Sequence, residues 1–105
     1  MAKNKYLGRR DFRRFLDSHR EDAAFTTRDS NNCPVASYLY EQTRREWNVS
    51  PLACVPQVDA EVEDHEFRPP RWARDFIHSL DSYFGTKPRV VSGGEALYVL
   101  DEVVR

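Results

Sequence analysis

Asn31-Asn32-Cys33-Pro34-Val35-Ala36-Ser37-Tyr38-Leu39-Tyr40-Glu41-Gln42-Thr43-Arg44-Arg45-Glu46-Trp47 is the stretch whose reading decides the fold. It opens with a helix-start signal. Asn31 or Asn32 can accept from the first unpaired backbone N–H groups, and Pro34 suits a first turn that needs no donor. Ala36, Leu39, Tyr40, Thr43 and Trp47 recur three and four apart, which predicts a helix with one apolar face running to about Trp47. Arg44 and Arg45 then fall where positive charge meets the negative end of the helix dipole, and Asn48 suits a left-handed cap. The expectation is a core helix with a thiol, Cys33, at its positive end.

Outward toward the N-terminus, Glu21 to Asn32 is rich in turn formers, with room for a short extended piece at residues 24–27. Before it, Phe12, Phe15, Leu16 and His19 form one stripe, so a helix is predicted from about Arg9 to Arg20. Its other sides carry Arg9, Arg10, Arg13 and Arg14. The first twenty residues hold seven basic and two acidic side chains, a local balance of +5. Residues 1–8 read as a flexible end, leaving 9–105 as a single compact domain.

Toward the C-terminus the period changes. Leu52, Cys54, Pro56, Val58, Ala60 and Val62 share one parity, and Gln57, Asp59, Glu61 and Glu63 the other, the pattern of a half-buried strand. Pro56 cannot donate to a ladder, so it marks an edge, a bulge or a break between two short strands. A lone strand is unstable, and its candidate partners are Phe25–Thr27, Arg89–Val91 or the same strand in a second copy of the chain. Pro69-Pro70 then introduces the clearest helix, with Trp72, Ala73, Phe76, Ile77, Leu80, Tyr83 and Phe84 on its apolar rows and Gly85 as its left-handed cap. Ser92-Gly93-Gly94-Glu95 is a capping box that starts a final helix carrying Ala96, Leu97, Val99, Leu100 and Val103. The predicted architecture is α+β and mainly helical, with about four helices around one core and a small β element between the second and third.

Composition narrows the function classes. A chain of 105 residues that is 40% hydrophobic can bury a core without metal or disulfide staples. Sixteen basic against seventeen acidic side chains leave a net charge of −1, which argues against a general nucleic-acid binder. The sequence contains neither an apolar run long enough for a membrane span nor a signal-peptide segment, and two cysteines suit a reducing cytosol. A cytoplasmic protein is expected.

Three groups of residues could carry chemistry. Cys33 at a helix start would feel the dipole that favours a thiolate, the basis of a small enzyme or redox protein. A cysteine nucleophile also needs a base, and none of His19, His65 and His78 sits in a motif tied to it. Burial as an inert thiol is the simpler reading. Cys33, Cys54, His65 and His78 are spaced 21, 11 and 13 apart, unlike the close pairs of structural zinc sites, so no metal or other cofactor is expected. The second group is Arg9, Arg10, Arg13 and Arg14, either a solvated helix back or a patch for phosphate or an acidic partner. The third is Asp59, Glu61, Glu63, Asp64 and Glu66, with no basic residue from Gln57 to Phe67. Such a row either protects an edge strand from aggregation or meets a basic surface. Exposed aromatics such as Tyr38 or Tyr98 are the remaining place for a functional surface. Helix-turn-helix reading of bases is excluded because the final helix offers Glu95, Asp101 and Glu102 where base-reading side chains would be needed. No phosphate loop, dinucleotide fingerprint or metalloprotease helix is found.

Asn32-Cys33-Pro34-Val35-Ala36, Pro70-Arg71-Trp72-Ala73 with Phe76-Ile77, and Glu95-Ala96-Leu97 with Leu100-Asp101 resemble small uncharacterised proteins of bacteriophages and their hosts. The resemblance spans residues 32–104 and brings no catalytic or binding residues with it. It implies a mobile-element protein, a class in which small inhibitors of host defence are frequent. The expected function is therefore a non-enzymatic protein-binding domain, of phage-inhibitor type, whose acidic edge meets a basic surface such as that of a host nucleic-acid-binding complex. Direct nucleic-acid binding through the first helix is the alternative, and pairing of two copies through the edge strand is a further expectation.

Overall fold

A computed structural model describes residues 4–57 and 66–104. Among the described residues four helices, α1 (Arg9–Ser18), α2 (Pro34–Thr43), α3 (Arg71–Tyr83) and α4 (Gly93–Val103), enclose one hydrophobic cluster. Two short antiparallel ribbons complete it: β1 (Phe25–Thr26) with β4 (Val90–Val91), and β2 (Trp47–Val49) with β3 (Cys54–Pro56). The β2–β3 ribbon lies between α2 and α3 in the chain, so the mainly helical α+β architecture expected from the sequence is the one observed.

Phe12 sits at the centre of the cluster, fully buried. Its ring meets Tyr38 of α2 at 5.5 Å, Phe76 of α3 at 5.3 Å and Trp72 of α3 at 5.7 Å between centroids. Edge-to-face arrangements dominate, as ring quadrupoles favour. Residues 4–8, read as a loose end, carry the buried Leu7, and Tyr6 packs against Trp47 at 5.7 Å. The Asn4 side chain shapes this turn by accepting from the Leu7 N–H and donating to the Leu7 carbonyl, both at 2.8 Å.

The α2 reading needs correction at both ends. Its cap is Cys33, whose Sγ accepts from the Ala36 N–H at 3.4 Å, rather than Asn31 or Asn32. Asp29 captures those two residues first: its Oδ1 accepts both their N–H groups, and Oδ2 accepts from the Asn32 amide. At the other end α2 stops at Thr43, with Arg44 left-handed at φ 59°. The Thr43 hydroxyl donates to the Leu39 carbonyl at 2.8 Å and accepts from Trp47 Nε1 at 2.8 Å. Trp47 is thereby buried from a strand, not from the helix face. With the helix rotated accordingly, Val35, Ala36, Tyr38 and Leu39 are buried, and Tyr40 is exposed.

The predicted long strand is represented in the described residues by Cys54–Pro56, and its partner is Trp47–Val49, none of the three candidates. Two of those candidates pair with each other instead, Phe25 opposite Val91 and Thr26 opposite Val90. Pro56 ends its ribbon opposite Trp47, where its missing donor costs nothing. Leu52, assigned to the apolar parity, is exposed. The end of α3 also differs: Tyr83 is exposed and Phe84 half-buried, while Ala73, Phe76, Ile77 and Leu80 form the core face and Trp72 packs partly against it. Gly85 closes this end at φ +94°, the left-handed conformation expected of it.

The capping box is present in full. Ser92 Oγ accepts from the Glu95 N–H at 3.1 Å, and Glu95 Oε1 from the Ser92 N–H at 3.0 Å. The two glycines inside the box form a junction that composition alone does not reveal. The Gly93 and Gly94 N–H groups donate to the carbonyls of His19 and Arg20 at 2.9 and 3.0 Å, so the start of α4 abuts the end of α1. A Cβ on Gly93 would lie 2.2 Å from the Leu16 carbonyl oxygen, inside any permitted contact.

Candidate functional site

Cys33 lies at the start of α2 beside a cleft of about 300 Å³, lined among others by Arg28, Asp29, Val49, Ile77 and Asp81. Arg28 adopts φ 57°, with its N–H held by Asp81 Oδ1 at 3.0 Å and its Nε donating to the Gly85 carbonyl at 3.0 Å. Asp29, hydrogen-bonded first by the Asn32 side chain and then by the Asn31 N–H, is held below the ordinary carboxylate range. The thiol itself is buried. Burial pushes Cys33 up to about 11 and outweighs the backbone N–H groups of Ala36 and Val35, which pull it down. Cys54 is pushed up to about 12, again by burial first and then by the nearness of Cys33. The helix-end argument thus identified an effect with the right sign that is outweighed by desolvation. At neutral pH both sulfurs are thiols. His19 stands at the end of α1 with its ring against Phe15 and Phe25 and Nδ1 3.1 Å from Asp22 Oδ2; His78 is exposed on α3. His65 lies outside the described residues. Among the described residues, no group of three or more His, Cys, Asp or Glu side chains could hold a metal ion.

The arginines of α1 occupy its solvent side as expected, and Arg9, Arg10, Arg13 and Arg14 are all exposed. Arg13 is held by α4 through a two-point contact, Nε to Asp101 Oδ1 and Nη2 to Oδ2, each at 3.0 Å. That bond and the Asp101 charge raise the Arg13 pKa. Among the described residues Arg13 is therefore committed within the molecule, to Asp101.

Asp59, Glu61, Glu63 and Asp64 lie outside the described residues; Glu66, the fifth of the set, is half-buried. The residues on either side of this segment are held by backbone hydrogen bonds. Cys54 and Phe67 exchange backbone hydrogen bonds, Cys54 N–H to Phe67 O at 2.8 Å and Phe67 N–H to Cys54 O at 3.1 Å. The Gln57 N–H donates to the Glu46 carbonyl at 2.8 Å. At Cys54 one edge of β3 is occupied by Val49 and the other by Phe67, which leaves that position no free edge for a second copy.

Tyr38 is buried in the core, so of the two named aromatics only Tyr98 is a surface residue. It does not stand alone. Tyr98 meets Tyr83 at 5.9 Å, Tyr83 meets Phe84 at 4.8 Å, and the Arg89 guanidinium lies 4.8 Å over the Phe84 ring. The sequence pattern hides this group because Tyr83 and Phe84 continue the apolar row of α3. The available signal was the Gly85 cap: a helix that ends there carries its last two aromatics past the core.

No described helix is long and apolar enough to cross a membrane. No protein-family model, no curated protein and no solved structure matches the chain.

Proposed function

We propose that this chain is a non-enzymatic protein-binding domain whose acidic segment engages a basic protein surface. The observation that carries the reading is the pinning of the chain on both sides of that segment. Gln57 is bonded to Glu46 and Phe67 to Cys54, and between them the sequence places five carboxylates and no cation. Carboxylates at this density steer a basic partner and set a salt-dependent encounter rate. The buried, protonated Cys33 supports the non-enzymatic side of the reading, since a thiol raised to about 11 is a poor nucleophile at neutral pH. The resemblance to phage proteins supports a partner among host complexes that handle nucleic acid, whose surfaces are basic, and an inhibitor's role in the cytoplasm.

The test uses three baits in a lysate of a bacterial host, each with and without nuclease: the native chain, the acidic variant Asp59→Ser/Glu61→Ser/Glu63→Ser, and the basic variant Arg9→Ser/Arg10→Ser/Arg14→Ser. Native and basic-variant baits retain a common, salt-sensitive protein partner that the acidic variant loses. Capture that depends on the arginines and vanishes with nuclease would replace this reading with nucleic-acid binding through α1.

A further inference from the structure

We propose that the cleft beside Cys33 binds a small organic ammonium ion, an amine carried on a compact aryl or alkyl body. The site stands apart from the acidic segment and from the reading built on it. Its apolar lining belongs to the core: Val35, Val49, Phe76, Ile77 and Leu80 are all buried and border a space of about 300 Å³. That volume lies at the small end of ligand pockets, roughly 300–1,000 Å³, and suits one ring with a short arm. The charged part of the lining is less buried, with Asp29 and Asp81 half-buried and Arg28 exposed. An apolar floor with a few convergent polar groups is the composition of small-molecule sites. The Cys33 sulfur serves here as an apolar wall.

The charges around the cleft do not cancel. Two carboxylates against one guanidinium leave its lining at −1, and among the described residues no ion pair includes Arg28, Asp29 or Asp81. Arg28 Nε is bonded to the Gly85 carbonyl, which lies outside the lining. Both carboxylates oppose the negative form of the Cys33 sulfur, so their field reaches the floor of the cleft. Asp29 is held ionised by the hydrogen bonds from Asn32 and Asn31, which also occupy its oxygens. Asp81 is placed differently. Its Oδ1 accepts from the Arg28 N–H at 3.0 Å, and among the described residues its Oδ2 has no hydrogen-bond partner. An ammonium group donating to Asp81 Oδ2 would satisfy that oxygen and offset the negative charge while its body covers Ile77 and Leu80. Attraction between the two charges is stronger against a low-dielectric floor than in open water. An anion of the same shape would meet repulsion, and a neutral one would gain burial alone.

The experiment titrates three probes of one shape, phenethylammonium, phenethyl alcohol and phenylpropionate, into the isotope-labelled native chain at neutral pH and follows amide chemical shifts. The ammonium probe moves the amides of Arg28, Val49, Ile77 and Leu80 in one saturable process. The alcohol binds at least about tenfold more weakly, and the propionate does not bind. This comparison needs no variant. Asp81→Asn keeps the acceptor for the Arg28 N–H, removes the charge and weakens the ammonium probe about tenfold, with a dispersed amide spectrum verifying the fold. Asp75→Asn, on the same helix but outside the cleft lining, leaves the affinity unchanged. Any one of four results would overturn the inference. These are no saturable shift with the ammonium probe up to about 10 mM, saturable shifts that fall on residues 57–66 instead of the cleft, equal or tighter binding of the alcohol or the propionate, or a folded Asp81→Asn chain that binds the ammonium probe as the native chain does.

Discussion

Cys33 and Gly93 show how a single position can be decided by forces of different range. The helix dipole acts on Cys33 through its own first turn, whereas desolvation depends on everything packed over it. Both thiols ionise less readily in the folded chain than at their ordinary 9.0. Between pH 9 and 11 the folded state therefore keeps protons that the unfolded chain releases. Stability is fully present below pH 9 and falls as pH rises, by up to about 1.4 kcal/mol per pH unit for each thiol. Urea midpoints measured at pH 8 and pH 10.5 should drop for the native chain and drop less for Cys33→Ala/Cys54→Ala. Equal drops would mean that the thiols are not the groups responsible. At Gly93 the constraint is steric: a methyl group would press on the Leu16 and His19 carbonyls, both backbone atoms that cannot swing away. Gly93→Ala should cost about 3 kcal/mol or more, as overpacking does where nothing can yield, and thermal unfolding measures it directly.

At the scale of elements, helix ends are where local propensity and tertiary packing compete. The α3 core face follows its sequence pattern because four residues three and four apart point one way whatever surrounds them. Phe76 is fully buried in that face, and Phe76→Ala should cost roughly 3–5 kcal/mol in chemical denaturation. A near-native midpoint would mean that the side chain is not in the core. The end of α2 is a different case, since Thr43 to Trp47 carries no residue that forbids a helix. Its stop at Thr43 depends on Trp47 Nε1 finding the Thr43 hydroxyl while the indole enters the core. Thr43→Val keeps the shape, removes that acceptor, and should cost about 1–3 kcal/mol through a buried unpaired donor. Trp47 fluorescence reports whether the ring stays buried in the variant.

For the whole molecule, charge is arranged in regions of opposite sign that nearly cancel in the sum of −1. Arg13 clamps α1 to α4 through Asp101, while Arg9, Arg10 and Arg14 remain on the solvent side. Surface pairs of this kind contribute little, so Asp101→Asn should leave the unfolding midpoint nearly unchanged. A larger loss would show that the clamp holds the two helices in register. Association through the acidic segment should slow as salt shortens the screening length to about 8 Å at physiological strength.

The four helices of the described residues and their order were legible in the residues themselves, whereas the strand at Trp47–Val49 was read as the end of α2. Apolar spacing places the α3 core face, Ser92 and Glu95 place the start of α4, and Gly85 closes the end of α3, because each depends on groups within one or two turns. Partner choice was not legible. Nothing local tells Cys54–Pro56 to pair with Trp47–Val49, or Phe25–Thr26 with Val90–Val91, since a two- or three-residue strand has almost no register information of its own. Nor does spacing tell a core aromatic from an exposed one: Tyr38 is buried and Tyr83 is exposed because of which segments lie against them. The same holds for the candidate sites. A dipole at Cys33 can be inferred from the chain, but its burial, and the ring ladder at the last turn of α3, exist only once distant segments have closed around the core. Local hydrogen bonding acts over a few residues, whereas desolvation and side-chain contact depend on every segment that packs nearby.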